Sequence, residues 1–184
     1  TLRYSTTGLK SGTTIDTLET VGGWAATADC ENLEADSNNY KSGNSSLKFD
    51  LSGVSTSGYL ENSTLTSVNL SSTKQEGSIF LWVYLPTSSI ITNFILRFGS
   101  GAGAYWSKTE TTQTDGTSFI DGWNLLRFNW SSATKTGSPD ASAISYARIT
   151  ITYDGTASND LRVDNMVYRY GELFSIDYYS KCLF

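Results

Sequence analysis

The run IFLWVYL, Ile79 to Leu85, is the most apolar stretch of the chain, and its reading decides the fold. Read as a strand, it turns Ile79, Leu81, Val83 and Leu85 to one side and Phe80, Trp82 and Tyr84 to the other, because a strand alternates faces at every residue. The aliphatic side is ordinary core. The aromatic side is either a second buried surface or the floor of a binding groove. No polar residue interrupts either side, which is the pattern of a central strand covered on both. Phe80 and Trp82 therefore read first as core, and Tyr84 as a candidate for the groove.

Outward from this run the period of two recurs. Ser46–Leu51 aligns Leu47, Phe49 and Leu51, and Thr92–Gly99 aligns Phe94, Leu96 and Phe98. Gly122–Trp130 opposes Leu126, Phe128 and Trp130 to Trp123, Leu125, Arg127 and Asn129. Ala147–Tyr153 buries Ile149, Ile151 and Tyr153 and exposes Arg148, Thr150 and Thr152. Leu161–Tyr170 points Leu161, Val163 and Val167 inward. KSGNS, KQEGS, SGAGA, TDGTS, KTGSPD and DGTASND punctuate these runs as turns, and no window carries a helical period over three turns. Strands at this spacing, with no helices to cover a parallel sheet, predict an all-β fold, an antiparallel two-sheet sandwich.

Composition agrees. Ser and Thr exceed a quarter of the 184 residues, only 17% are charged, and there are 16 Gly, 11 Tyr, 5 Trp and 2 Pro. The length suits one domain with a substantial core. The net charge is −5 and the thirteen Lys and Arg are scattered, so no basic stripe exists to bind nucleic acid. No apolar stretch reaches the roughly 20 residues of a membrane-spanning helix. The chain opens at Thr1 rather than Met and reads as a fragment or processed product. Cys30 and Cys182 are either free thiols or a disulfide, the latter only if the fold brings them together. Residues 1–14 read as a polar arm or linker, 15–170 as the sandwich, and 171–184 (GELFSIDYYSKCLF) as an aromatic extension that contacts or continues into another domain or subunit.

Five pieces in order, IDTLETVGGW (Ile15–Trp24), YKSGNSSLKFDL (Tyr40–Leu51), GSIFLWVYLP (Gly77–Pro86), DGWNLLRFNW (Asp121–Trp130) and LRVDNMVY (Leu161–Tyr168), resemble the jelly-roll carbohydrate-binding modules attached to polysaccharide-degrading enzymes. The resemblance implies a jelly-roll sandwich, a glycan partner and an extracellular setting. It also implies a structural calcium where the opening segment crosses the last strand; the matching positions are Asp164, with Asp16 or Glu19. Without a metal, Asp164 would pair with Arg148 or Arg162, or cap a turn. The segment LFSIDYYSKCLF is similar to segments that follow such sandwiches in structural proteins of tailed bacteriophages, which implies a virion setting instead.

Chemistry is restricted by what the chain lacks. With no His, Ser-His-Asp and Cys-His arrangements cannot be built. The E-x-D-x-x-E strand of jelly-roll glycosidases is absent, and Glu61, Glu76, Glu110, Asp115, Asp121 and Asp140 sit near turns as solvated carboxylates. Asn44, Asn62, Asn69 and Asn129 begin N-x-S/T triplets that so Ser/Thr-rich a chain forms by chance. The candidate ligand contacts are aromatic. Tyr105 and Trp106 follow a Gly-rich turn in FGSGAGAYWSKTE (Phe98–Glu110), and alternation sends at most one of them into the core. Tyr84, Trp123 and Arg127 complete the set, since sugar C–H faces stack on flat rings while hydroxyls take polar partners. The expected function is non-catalytic glycan recognition or decoration on a larger extracellular or virion protein. The alternatives are a structural virion interaction domain without a glycan, and a polysaccharide lyase or hydrolase.

Overall fold

A computed structural model describes residues 12–74 and 76–170. The 171–184 extension and the contact expected of it therefore lie outside the described residues, as do residues 1–11 and Cys182. The described residues form twelve strands: β1 (Thr13–Asp16), β2 (Trp24–Ala28), β3 (Cys30–Asp36), β4 (Ser46–Leu51), β5 (Ser57–Asn62), β6 (Gly77–Leu85), β7 (Ile91–Gly101), β8 (Ala104–Glu110), β9 (Gly122–Asn129), β10 (Thr134–Thr136), β11 (Tyr146–Tyr153) and β12 (Ser158–Tyr170). Two single 3-10 turns, Ser88–Ile90 and Trp130–Ser132, are the only helical elements among the described residues.

The strands form two antiparallel sheets. One runs β3-β4-β12-β6-β9, with β1 also paired to β12; the other runs β10-β8-β7-β11-β5-β2. From β4 to β7 the chain changes sheet at every strand, so neighbours in sequence face each other across the core. This is the jelly-roll sandwich that the alternation predicts.

Each strand earns its place by the side chains it turns inward. Leu47, Phe49 and Leu51 of β4, Ile79, Leu81, Val83 and Leu85 of β6, and Leu126 and Phe128 of β9 meet Phe94, Leu96 and Phe98 of β7 and Ala147, Ile149, Ile151 and Tyr153 of β11 in one core. Burying each such aliphatic or Phe side chain contributes about 1.5–3 kcal/mol relative to leaving it in water. Trp106 of β8 joins them, stacked 5.9 Å from Phe98 and set edge-on 4.9 Å from Trp130. Cys30 carries a free, buried thiol that burial pushes up to about 12, so it packs as a small apolar group rather than reacting as a thiolate.

One strand departs from simple alternation. The pairing of β12 with β6 slips between Asp164 and Val167, where Asn165 takes a left-handed φ of 53° and donates its N–H to the Thr17 carbonyl. Past this bulge the phase reverses: Met166 and Tyr168 enter the core, and Val167 turns outward rather than inward. Val167, Phe80 and Tyr146 are each under 10% exposed yet stand outside the core cluster. They are buried on the outer sides of the sheets, and both of those sides carry aromatic groups.

Candidate functional site

On the outer side of the β6 sheet, Ser78, Phe80, Trp82 and Tyr84 lie opposite Asn129, Arg127, Leu125 and Trp123 of β9. Tyr84 and Trp123 meet edge-on at 5.5 Å, and the Arg162 guanidinium sits 5.1 Å from the Tyr84 ring centre while its Nε donates to Asp36 at 2.7 Å. Arg127 is exposed and donates from Nε to Ser78 Oγ at 3.0 Å. The segment joining β3 to β4 reaches across this side. Trp123 Nε1 donates to Asn39 Oδ1 at 2.9 Å, and Lys41 Nζ lies 4.9 Å from the Trp82 ring. The chain's own loop thus already uses the apolar and polar faces a ligand would need.

Behind that loop is Asp164, which is fully buried. Its Oδ2 accepts from the backbone N–H groups of Lys41 and Ser42 at 2.6 and 2.9 Å, and its Oδ1 is buried without a partner. Burial raises its carboxyl above the ordinary range, and the nearby Glu19 charge adds to the rise. Glu19 holds the same loop, accepting from Asn44 N–H at 3.0 Å. Asp16 is committed elsewhere, to Leu18 N–H and Trp24 Nε1. Neither Arg148 nor Arg162 pairs with Asp164; they bind Glu61 and Asp36 instead. Among the described residues no group of three or more His, Cys, Asp or Glu side chains is placed to hold a metal ion.

The outer side of the β11 sheet is differently furnished. Alternation on β5, β11, β7 and β8 brings Tyr59 and Glu61, Tyr146 and Arg148, Asn93 and Arg97, and Tyr105 onto one surface, and the registers set Arg148 between Glu61 and Arg97. The Arg148 guanidinium bonds Glu61 and lies 4.1 Å from the Tyr59 ring centre. Tyr146 donates its hydroxyl to the same Glu61 oxygen at 2.8 Å, and burial together with that bond pushes the phenol up to about 12. Arg97 lies 4.9 Å from the Tyr105 ring centre, and Tyr105 in turn is 6.2 Å from Tyr146. Two polar atoms here, Arg97 Nε and Asn93 Oδ1, are buried with no partner. Among the described residues no loop hydrogen-bonds to any of these side chains.

Of the expected ligand residues, then, Tyr105 stands on this second side, Tyr84, Trp123 and Arg127 on the first, and Trp106 on neither. Trp106 is a core residue and not a ligand contact: the two adjacent aromatics of β8 point to opposite sides, and Trp106 is the one that turns inward. Glu61 is likewise no turn carboxylate but the anionic centre of the second side. Tyr59, Glu61, Arg97, Tyr146 and Arg148 escape the sequence reading. The signal was there in SGYLEN, where Tyr59 and Glu61 alternate with Gly58, Leu60 and Asn62.

No family model matches the chain, and no curated protein matches it in sequence. Solved structures do match its shape. A family 30 carbohydrate-binding module of a cellulosomal cellulase of Clostridium thermocellum superposes with a TM-score of 0.58 at 13% identity, over 86% of this chain and 97% of that one. An agarase superposes with a TM-score of 0.59 at 10% identity, over 90% of this chain and 25% of that one. The chain thus spans a quarter of the agarase's length. These likenesses establish the fold, a β-sandwich of the kind found in carbohydrate-binding modules.

Proposed function

We propose that this is a non-catalytic carbohydrate-binding domain of a larger extracellular protein, and that it holds its glycan on the outer side of the β11 sheet. The observation that carries the reading is the buried, unpartnered donor Arg97 Nε beside the Tyr105 ring, with a second buried, unpartnered atom, the acceptor Asn93 Oδ1, farther along the same strand. Buried polar atoms without partners cost stability, and a native surface keeps them where a ligand completes the bonds. Sugars supply both halves of the match: C–H faces for the rings and hydroxyls that donate as well as accept. The likeness to carbohydrate-binding modules, some of them nearly coextensive with this chain, supports the same reading. Tyr84 and Trp123, already engaged by residues 37–45 and Arg162, serve in this reading to anchor that loop. Titration of soluble polysaccharides into the protein tests it. Tyr105→Ala and Tyr59→Ala should each weaken binding at least tenfold while keeping the wild-type melt; loss of binding on Trp82→Ala with Tyr105→Ala unaffected would move the site to the other sheet.

Calcium belongs to the same proposal as a structural ion. Asp164 Oδ1, buried and unpartnered, and the Glu19 carboxylate that holds the same β3–β4 loop fit a hard cation that takes oxygen ligands, with backbone carbonyls completing the set. The ion would offset the cost of burying Asp164 ionised and fix residues 41–44 against β12.

A further inference from the structure

We infer that the glycan carries an acidic group, a uronate carboxylate or a sulfate ester, and that Arg97 receives it; the inference rests on the carbohydrate-binding reading above. By strand alternation the outer side of the β11 sheet holds three charged side chains, Glu61, Arg97 and Arg148, and so a net charge of +1 in a chain whose total is −5. Arg97 and Arg148 are direct cross-strand partners, an arrangement that like charges disfavour. Glu61 relieves only one of them: its Oε2 accepts from Arg148 and from the Tyr146 hydroxyl, and no ion pair joins it to Arg97. Arg97 has no carboxylate partner among the described residues, its ring contact with Tyr105 supplies no counter-charge, and its Nε is buried without an acceptor.

A neutral sugar hydroxyl would satisfy that Nε as an acceptor but would leave the Arg97 charge without a counter-charge. An acidic group does both, and the planar fork of arginine matches a carboxylate or sulfate with two parallel bonds. The arrangement is one of selection: Arg97 keeps an uncompensated charge until an anion arrives, so affinity for an acidic polymer exceeds that for its neutral counterpart.

The test is calorimetric titration of the 184-residue protein with polygalacturonate, a sulfated galactan, and neutral galactan, β-glucan, xylan and mannan. One acidic polymer should bind at least tenfold tighter than any neutral one, with affinity falling severalfold between 50 and about 300 mM NaCl as exposed charges are screened. Which acidic polymer binds separates carboxylate from sulfate. Arg97→Gln should abolish the preference while retaining a cooperative melt. Should it fail to fold, Arg97→Lys keeps the charge without the fork and should lower acidic-polymer affinity severalfold. Equal or better binding of neutral polymers, or a preference that neither variant changes, overturns the inference and leaves the carbohydrate reading standing. Binding to none of the six overturns both.

Discussion

Asp29 shows how one carboxylate can tie a sandwich edge together. It is 4% exposed and accepts from the Tyr153 hydroxyl at 2.6 Å, Ser55 N–H at 2.6 Å and Ser52 Oγ at 3.2 Å, so it fastens the β4–β5 turn to the end of β11. The Tyr153 bond, aided by the serines and opposed by burial, holds its carboxyl below the ordinary range. A depressed folded value means that the charge stabilises the fold above the unfolded carboxylate pKa of about 3.9, and that this stability is lost as pH falls through the folded value. Asp29→Asn should therefore melt below wild type at pH 7, and the gap in melting temperature should close towards pH 2; a gap independent of pH would deny the charge any role. Asp164 has the opposite sign, since burial raises it and its ionised form opposes folding near neutrality unless a cation binds. Chelator should lower the wild-type melting temperature and leave Asp164→Asn unchanged. Unchanged wild-type melting in chelator would remove the calcium site. Individual residues were the least legible level: nothing local in TADCE or EADSN marks Asp29 and Asp36 for burial, and their partners Tyr153 and Arg162 are more than 120 positions away.

At the scale of the element, alternation read β4, β6, β7, β9 and β11 correctly because each presents two to four large apolar residues to a single side. It missed the reversal in β12, since one residue inserted at Asn165 leaves no compositional trace. Asn165→Val should destabilise by about 1–2 kcal/mol, the cost of a left-handed backbone for a side chain branched at Cβ, whereas Asn165→Gly should be nearly neutral; chemical denaturation reads the difference. Neighbours on β8 should separate as sharply. Trp106→Ala should cost about 3–5 kcal/mol by opening a cavity between Phe98 and Trp130, while Tyr105→Ala changes the same melt by far less. The Ser/Thr richness also resolves at this level. Asn62, Asn69, Asp115, Asn129 and Asp140 each accept, through one side-chain oxygen, both the N–H and the hydroxyl of the Ser or Thr two residues on. Three of the N-x-S/T triplets are thus turn locks, a local role for residues that compete with regular strand pairing.

For the molecule as a whole, incubation with a polysaccharide panel should release neither reducing ends nor unsaturated products, because the paired groups on the β11 sheet are a neutralised Glu61 and two arginines rather than two carboxylates flanking a bond. Turnover abolished by a point mutation would refute this. The order β3-β4-β12-β6-β9 has a further consequence, for how the protein is made. The central strand of that sheet is the last of the described strands to leave the ribosome. β4 must wait for it through the roughly 110 residues that separate Phe49 from its partner Leu161. At about 5–20 residues per second that is roughly 5–20 s of synthesis. During that interval the β3–β4 and β6–β9 pairs each present an open hydrogen-bonding edge beside an unpacked apolar face, the template for pairing with another nascent chain. Stalling or truncation before Ser158 should therefore yield aggregates rather than a smaller domain, and the crowding of neighbouring ribosomes on one message should make that failure worse.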